Sequence, residues 1–352
     1  MKRVKFGEVV KRININVDRF NTDRLYYIGK GATIEPDALT VEPQGRINAT
    51  LGFKFHFGFN PGQILFMSRC FDQHKAATAT FYGICSDSTY VVETKDESVL
   101  LQRYLQLEMQ SNRFWQWCEE HKSGGVNYLI NYSTLTEYEF DLPSIDEQKV
   151  LAEKLWAAYE VKQSYLKMIK ATQEMVQSQF IEMFSTIKKV GINTLVDTIW
   201  GSSPDSSTYN DTGEGVPFYQ GKTEFGDLYI NNPVTYCTAP VKMAKKDSIL
   251  MSVRAPVGAV NIATQDCCIG RGLASITPKK EKGETMFIYY ALKYMEEEID
   301  RLGTGSTFKA INKDSYARIQ LPEASFEGQM KFVEIAKQAD KSEKCCEIRL
   351  AS

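Results

Sequence analysis

The chain has 352 residues, long enough for two domains that each bury a core. Its 43% hydrophobic and 24% charged content is ordinary for soluble globular protein, and its uncharged runs are too short to span a bilayer. The formal net charge is −2, so a nucleic-acid surface would have to come from local asymmetry of charge rather than overall basicity.

The N-terminus, "MKRVKFGEVVKR", lacks the apolar stretch and small-residue cleavage site of a secretion signal, which predicts a cytoplasmic protein with reduced thiols. Further along, "YYIGK" at 26–30 returns as "FYQGK" at 218–222. The run "ILFMSR" at 64–69 returns as "ILMSVR" at 249–254, "GGVNYLIN" at 124–131 as "GSTFKAIN" at 305–312, and Leu142-Pro143 as Leu321-Pro322. The offsets shrink in order, 192, 185, 181 and 179 residues, as small loop deletions in one copy would produce. Short phrases that keep their order identify an internal duplication, with a period far beyond that of solenoid repeats.

Each copy follows one plan. The "ILFMSR" and "ILMSVR" stretches are apolar runs bounded by turn residues, which suits buried strands. Residues 81–94 and 259–278 are β-rich with loop interruptions, and residues 98–121 and 286–302 read as amphipathic helices. Residues 144–184 contain neither Gly nor Pro, and Ser144 stands three before Glu147, the spacing of a capping box. Positions 151, 155, 158, 162, 165, 169, 172, 176, 179 and 183 form a mostly apolar seam at coiled-coil spacing, along a rod of roughly 60 Å. The equivalent second segment, from about Glu323 to Arg349, is shorter and is the available partner. The fold class expected is α+β. Two tandem, similar, mainly β domains with helices are separated by long helices that pack as an antiparallel coiled coil, with approximate two-fold symmetry. The expected boundaries are 1–143, 144–187, 188–322 and 323–352.

Catalytic signatures are missing from the sequence. "GEGVPFYQGKT" has one residue too many for a P-loop, "GRGLAS" lacks the rest of a dinucleotide fingerprint, and no Asn-Pro-Pro-aromatic tetrapeptide or Gly-x-Ser-x-Gly elbow occurs. Eight cysteines show no CxxC spacing, and none of His56, His74 and His121 has a second ligand at metal spacing, so no metal site is expected. "MEEEID" reads as a solvated helix face. No active site is expected in this chain.

Two similar domains on one rod suit a partner that offers two similar features, and double-stranded DNA is the natural one. The plan resembles the specificity subunits of type I restriction-modification systems. The resemblance rests on the duplicated "YxGK" region, "ILMSVR" followed by "GRGLASITP", "GSTFKAIN", and Leu-Pro leading into "DEQ" and a long helix. It implies two target-recognition domains, each reading one half of a split asymmetric target. It also implies two methyltransferase subunits that carry S-adenosylmethionine, and in some assemblies restriction subunits that use ATP and Mg. A stand-alone two-domain DNA-binding or scaffold protein is the alternative.

Candidate DNA contacts follow from residue type and place. Lys30 and Lys222 follow Gly at matched positions, where a phosphate contact and a plain surface lysine are both open readings. Arg69 and Arg254 end matched strands, where an ion pair and a DNA contact are both open. Arg271 lies between glycines, and Ser306, Thr307 and Lys309 follow Gly305 in the repeated phrase. Asn131 and Asn312 suit local backbone bonding better than base reading. Leu151, Leu155, Tyr165, Met168, Met175, Phe180 and Phe184 on the long helix are the candidate surface for the methyltransferase subunits, with a core role as the competing reading.

Overall fold

The structure is a computed structural model and describes residues 2–29, 34–69, 73–125, 128–305 and 309–351. The chain divides into two units, residues 1–164 and 165–352. The division falls within one helix, Ile145–Phe184, so each unit owns about half of it.

In the first unit, a five-stranded sheet runs in the order Val10–Ile13, Thr89–Thr94, Ile64–Met67, Ala76–Ala79, Thr40–Val41. A second five-stranded sheet runs Ile15–Asn16, Phe55–Phe59, Gly83–Ser86, Tyr26–Ile28, Gly45–Arg46. The second unit repeats the plan. Val196–Trp200, Leu273–Pro278, Ile249–Ser252 and Val260–Ile262 form one sheet, and a five-stranded sheet centres on Val216–Tyr219 paired in parallel with Cys267–Ile269. The predicted buried strands are as expected: Ile64–Met67 and Ile249–Ser252 are buried throughout.

The duplication extends to individual hydrogen bonds. Lys95 donates from its backbone to Val9 O at 2.8 Å and from Nζ to Gly7 O at 2.6 Å. Lys279 repeats both bonds, to Leu195 O at 2.8 Å and Asn193 O at 2.6 Å. Strand Lys2–Lys5 pairs with Glu139–Leu142 just before the first long helix, and Lys189–Gly191 pairs with Gln320–Pro322 just before the second.

Each long helix is then pinned by one buried glutamine. Gln148 Oε1 accepts from Leu101 N at 2.9 Å, and its Nε2 donates to Val99 O and Pro143 O, both at 3.0 Å. Gln329 Oε1 accepts from Glu284 N at 2.9 Å, and its Nε2 donates to Lys282 O at 3.0 Å and Ala324 O at 2.9 Å. Both side chains are fully buried, and each satisfies three main-chain groups. The capping box at Ser144 is present as expected, with Ser144 N donating to Glu147 at 2.9 Å.

Within the second unit, the distal helix Phe326–Ala351 runs antiparallel to the end of the central helix. Phe332 meets Phe180 and Phe184, Glu343 accepts from Gln173, Cys346 Sγ lies 3.7 Å from Met168 Sδ, and Arg349 donates to Tyr165 Oη. The seam is as expected in the second half of the helix, where positions 165, 169, 172, 176, 179 and 183 are part-buried or buried and Phe180 and Phe184 join them. It is shifted in the first half, where Ala152 and Trp156 are buried whereas Leu151 and Leu155 are 41% and 49% exposed. The reason is that the globules set the stripe. Ala152 and Trp156 pack with Leu39 in the first unit, and Phe180 and Phe184 pack with Phe287 and Phe332 in the second. The amphipathic segments also break where one helix was expected. Gln102–Met109 and Asn112–Glu120 are separate because Ser111 caps the second, and Thr285–Tyr294 is followed by a distinct Glu296–Leu302.

Replacing Gln329 with Leu removes the partner of the Glu284 amide and of two carbonyls. Urea unfolding should show a loss of about 3 kcal/mol, while the exposed substitution Lys337→Ala should change stability by no more than about 0.5 kcal/mol.

Candidate nucleic-acid interface

The described residues flanking and ending the repeated phrase pair in the same way in both copies. Ser123 and Leu129 exchange backbone hydrogen bonds of 2.9 and 3.0 Å, and Thr304 and Ala310 exchange bonds of the same lengths. Each loop is stitched to the end of a buried strand: Ile130 N donates to Ser68 O, and Ile311 N to Val253 O, both at 3.0 Å. In the second unit Ala255 N adds a bond to Lys309 O at 2.8 Å, and Arg254 bridges to Ala310.

Neighbouring loops complete the edge. Val253 N donates to Gly272 O, Gly270 N to Tyr219 O, and the space beside Gly272 is closed by the Gln220 carbonyl. A side chain on Gly272 would strike that carbonyl at 2.4 Å, so the glycine permits the close approach of the 219–222 and 270–272 loops. One edge of the second unit thereby gathers Lys222, Arg254, Arg271 and Lys309. In the first unit the corresponding edge carries Arg69. It also carries Lys54 and Asp87, because Asp87 N donates to Lys54 O and Ser68 N to Ser88 O.

The cations on these edges differ in state. Arg69, Lys222, Arg254 and Arg271 are exposed, and among the described residues none of their side chains makes an ion pair or hydrogen bond. Lys309 is different: its Nζ lies 2.5 Å from Asp300 Oδ2. That bond holds the Asp300 carboxyl below the ordinary aspartate range. Lys309 therefore braces the loop to helix Glu296–Leu302, a role that sequence spacing did not reveal. Asn312 caps helix Lys313–Ala317 by accepting from Ser315 N at 2.8 Å, and Asn131 occupies the same N-terminal place before Tyr132–Leu135. Lys30, Ser306 and Thr307 lie outside the described residues.

The long-helix candidates separate in the same way. Leu151, Leu155, Met168 and Met175 are 41 to 50% exposed, and Tyr165 is half-buried. Phe180 and Phe184 are in the core of the second unit, 8% and 3% exposed, so that core holds them away from any partner surface. This corrects their place among the candidate docking residues, and the cause is the Phe287 and Phe332 rings that enclose them.

Residues 185–347 match the family model of the type I restriction modification DNA specificity domain. Over 214 residues the chain is 38% identical to the putative type I restriction enzyme MjaX specificity subunit of Methanocaldococcus jannaschii. A solved structure from work on complex assembly and conformational transition of the type I R-M system aligns with a TM-score of 0.58 and 26% identity. That alignment covers 99% of this chain and 93% of the other. The chain is similar to type I restriction-modification specificity subunits, and residues 185–347 carry the match to their DNA specificity domain.

The S subunit of the M. genitalium type I system shares the fold, with a TM-score of 0.67 at 16% identity over 99% of this chain and 92% of that one. The match to the M. jannaschii specificity subunit takes in 55% of this chain and 50% of that relative, so the chain spans about half the length of the curated relative it matches.

If Lys309 braces this loop, Asp300→Asn should release it. The Thr304 and Ala310 amides should exchange with solvent several-fold faster while the melting temperature changes little, because an ion pair within reach of water adds little to global stability. Since the folded Asp300 titrates low, the brace should persist at neutral pH and fail only as pH falls below the usual aspartate range.

Proposed function

We propose that this chain is the sequence-reading subunit of a type I restriction-modification assembly, and that its two units each read one half of a split, asymmetric duplex target. The observation that carries this is the matched pair of edges. The same main-chain frame occurs twice, and each frame presents an exposed arginine, without an ion pair among the described residues, at the same place, Arg69 in one and Arg254 in the other. Such cations suit phosphate, and the neighbouring side chains that differ between copies suit base edges. Lys222 and Arg271 belong to the second edge. The equivalent reading of Lys30, Ser306 and Thr307 stays with the sequence.

In this reading the chemistry belongs to the partners. Two methyltransferase subunits bring S-adenosylmethionine and flip the adenine out of the stack, and restriction subunits, where present, bring ATP and Mg. The exposed apolar side chains of the central helix, Leu151, Leu155, Met168 and Met175, are the docking surface for the methyltransferase, since large apolar groups in water mark a contact surface. Phe180 and Phe184 are left out of that surface.

Two measurements test this. Lys222→Ala should weaken duplex binding and reduce the slope of log affinity against log salt by about one counterion, and an unchanged affinity across salt concentrations would contradict the contact. Leu151→Glu with Leu155→Glu should abolish co-purification of a methyltransferase while leaving the melting temperature of the isolated chain unchanged. Retention of the partner by this folded variant would contradict the docking surface.

A further inference from the structure

The two edges share a backbone but not a charge pattern. A phosphate contact carries no sequence information, so a frame used twice on a duplex should hold it in both copies. A contact with a base edge should differ between copies that read different bases. Matched residues can therefore be separated from unmatched ones. Arg69 and Arg254 are matched, as both follow the residue whose carbonyl receives the repeated-phrase loop.

Arg12 is unmatched. It lies opposite Val92 in the first sheet, and its twin opposite Ile276 is Thr198. Thr198 is neutral and satisfied, 2.6 Å from Tyr316 Oη. The Arg12 guanidinium sits over Tyr90 at 4.4 Å, with the Tyr132 and Phe57 rings at 5.7 and 5.8 Å. Its Nε is buried with no hydrogen-bond partner, and no carboxylate pairs with it among the described residues. The clamp is part of the edge, because Tyr90 Oη donates to Ile130 O at 2.9 Å and Ile130 is the residue tied to Ser68. The three rings surround the guanidinium and limit its motion, and no carboxylate among the described residues answers its charge.

Arg271 is the counterpart in the second unit. Ser68 N donates to Ser88 O and Val253 N to Gly272 O, so Gly272 corresponds to Ser88 and Arg271 to Asp87. The charge at this place is reversed between copies.

We propose that Arg12 and Arg271 are specificity-determining residues, one in each unit, each donating to the O6 and N7 edge of a guanine, while Arg69 and Arg254 hold phosphates. This rests on the duplex-recognition reading above and adds which residues read sequence. A planar fork with two parallel donors matches the two acceptors that guanine alone presents side by side in the major groove.

The test is selection from a pool of random-sequence duplexes by the full chain with its co-purified partners, followed by sequencing of the enriched pool. Arg12→Thr, which installs the twin's residue, should lower the preference for guanine roughly tenfold or more at a position in one half of the motif, leaving the other half intact. Arg271→Asp should do the same in the other half only. Arg12→Gln should shift the preference at its position from guanine towards adenine, and it carries the test if Arg12→Thr melts early. Arg69→Ala and Arg254→Ala should weaken binding to the whole pool, lower the salt slope by about one each and leave the motif unchanged. A motif unaltered by Arg12→Gln, or equal weakening of all sequences, would overturn the assignment of Arg12. A wild-type complex that enriches no sequence would overturn the duplex-reading function itself, and this assignment with it.

Discussion

The hydrogen bond from Ile130 N to Ser68 O, and its twin from Ile311 N to Val253 O, is the constraint on which the recognition edges depend. It ties a surface loop to the end of a buried strand through main-chain atoms alone. Because the tie asks nothing of the side chains, residues on the loop and beside it are free to diverge while the loop keeps its place. The exchanged bonds at Ser123 and Leu129, and at Thr304 and Ala310, work in the same way. A scaffold of this kind can change its surface side chains without changing how it folds, which is what the proposed reading of varied sequences requires.

A different device sets where each long helix leaves its globule. Gln148 and Gln329 each join a helix start to the chain before another helix, and each is sealed from water. A buried amide with all its partners present is specific in a way that apolar contact is not, since any other register would strand donors and acceptors. The surrounding aromatic residues, Trp156 in the first unit and Phe332 in the second, then supply bulk burial without having to supply direction.

Much of the fold was legible in the sequence because duplication leaves two copies to compare. The buried strands, the capping box at Ser144 and the antiparallel partner for the central helix all follow from phrases and periodicity. The stripe on the first half of that helix did not. A heptad count assumes one partner along the whole length, whereas Ala152 and Trp156 answer to one globule and Phe180 and Phe184 to another. The matched placement of Arg69 and Arg254 was legible because both copies carry the same phrase. The site was illegible where the copies differ or where contacts are long-range. Arg12 stands in no shared phrase, and its ring clamp draws on residues 57, 90 and 132. Lys309 sat in the repeated phrase, but its tie to Asp300 depends on the fold of the intervening turn.

The central claim is that this chain chooses where a partner methyltransferase acts. Mapping adenine methylation across a genome in cells with and without the chain tests it most directly. The account predicts that one split, asymmetric adenine motif loses its methylation when the chain is removed and regains it on complementation. An unchanged methylation map, with the chain expressed in the parent cells, would contradict it.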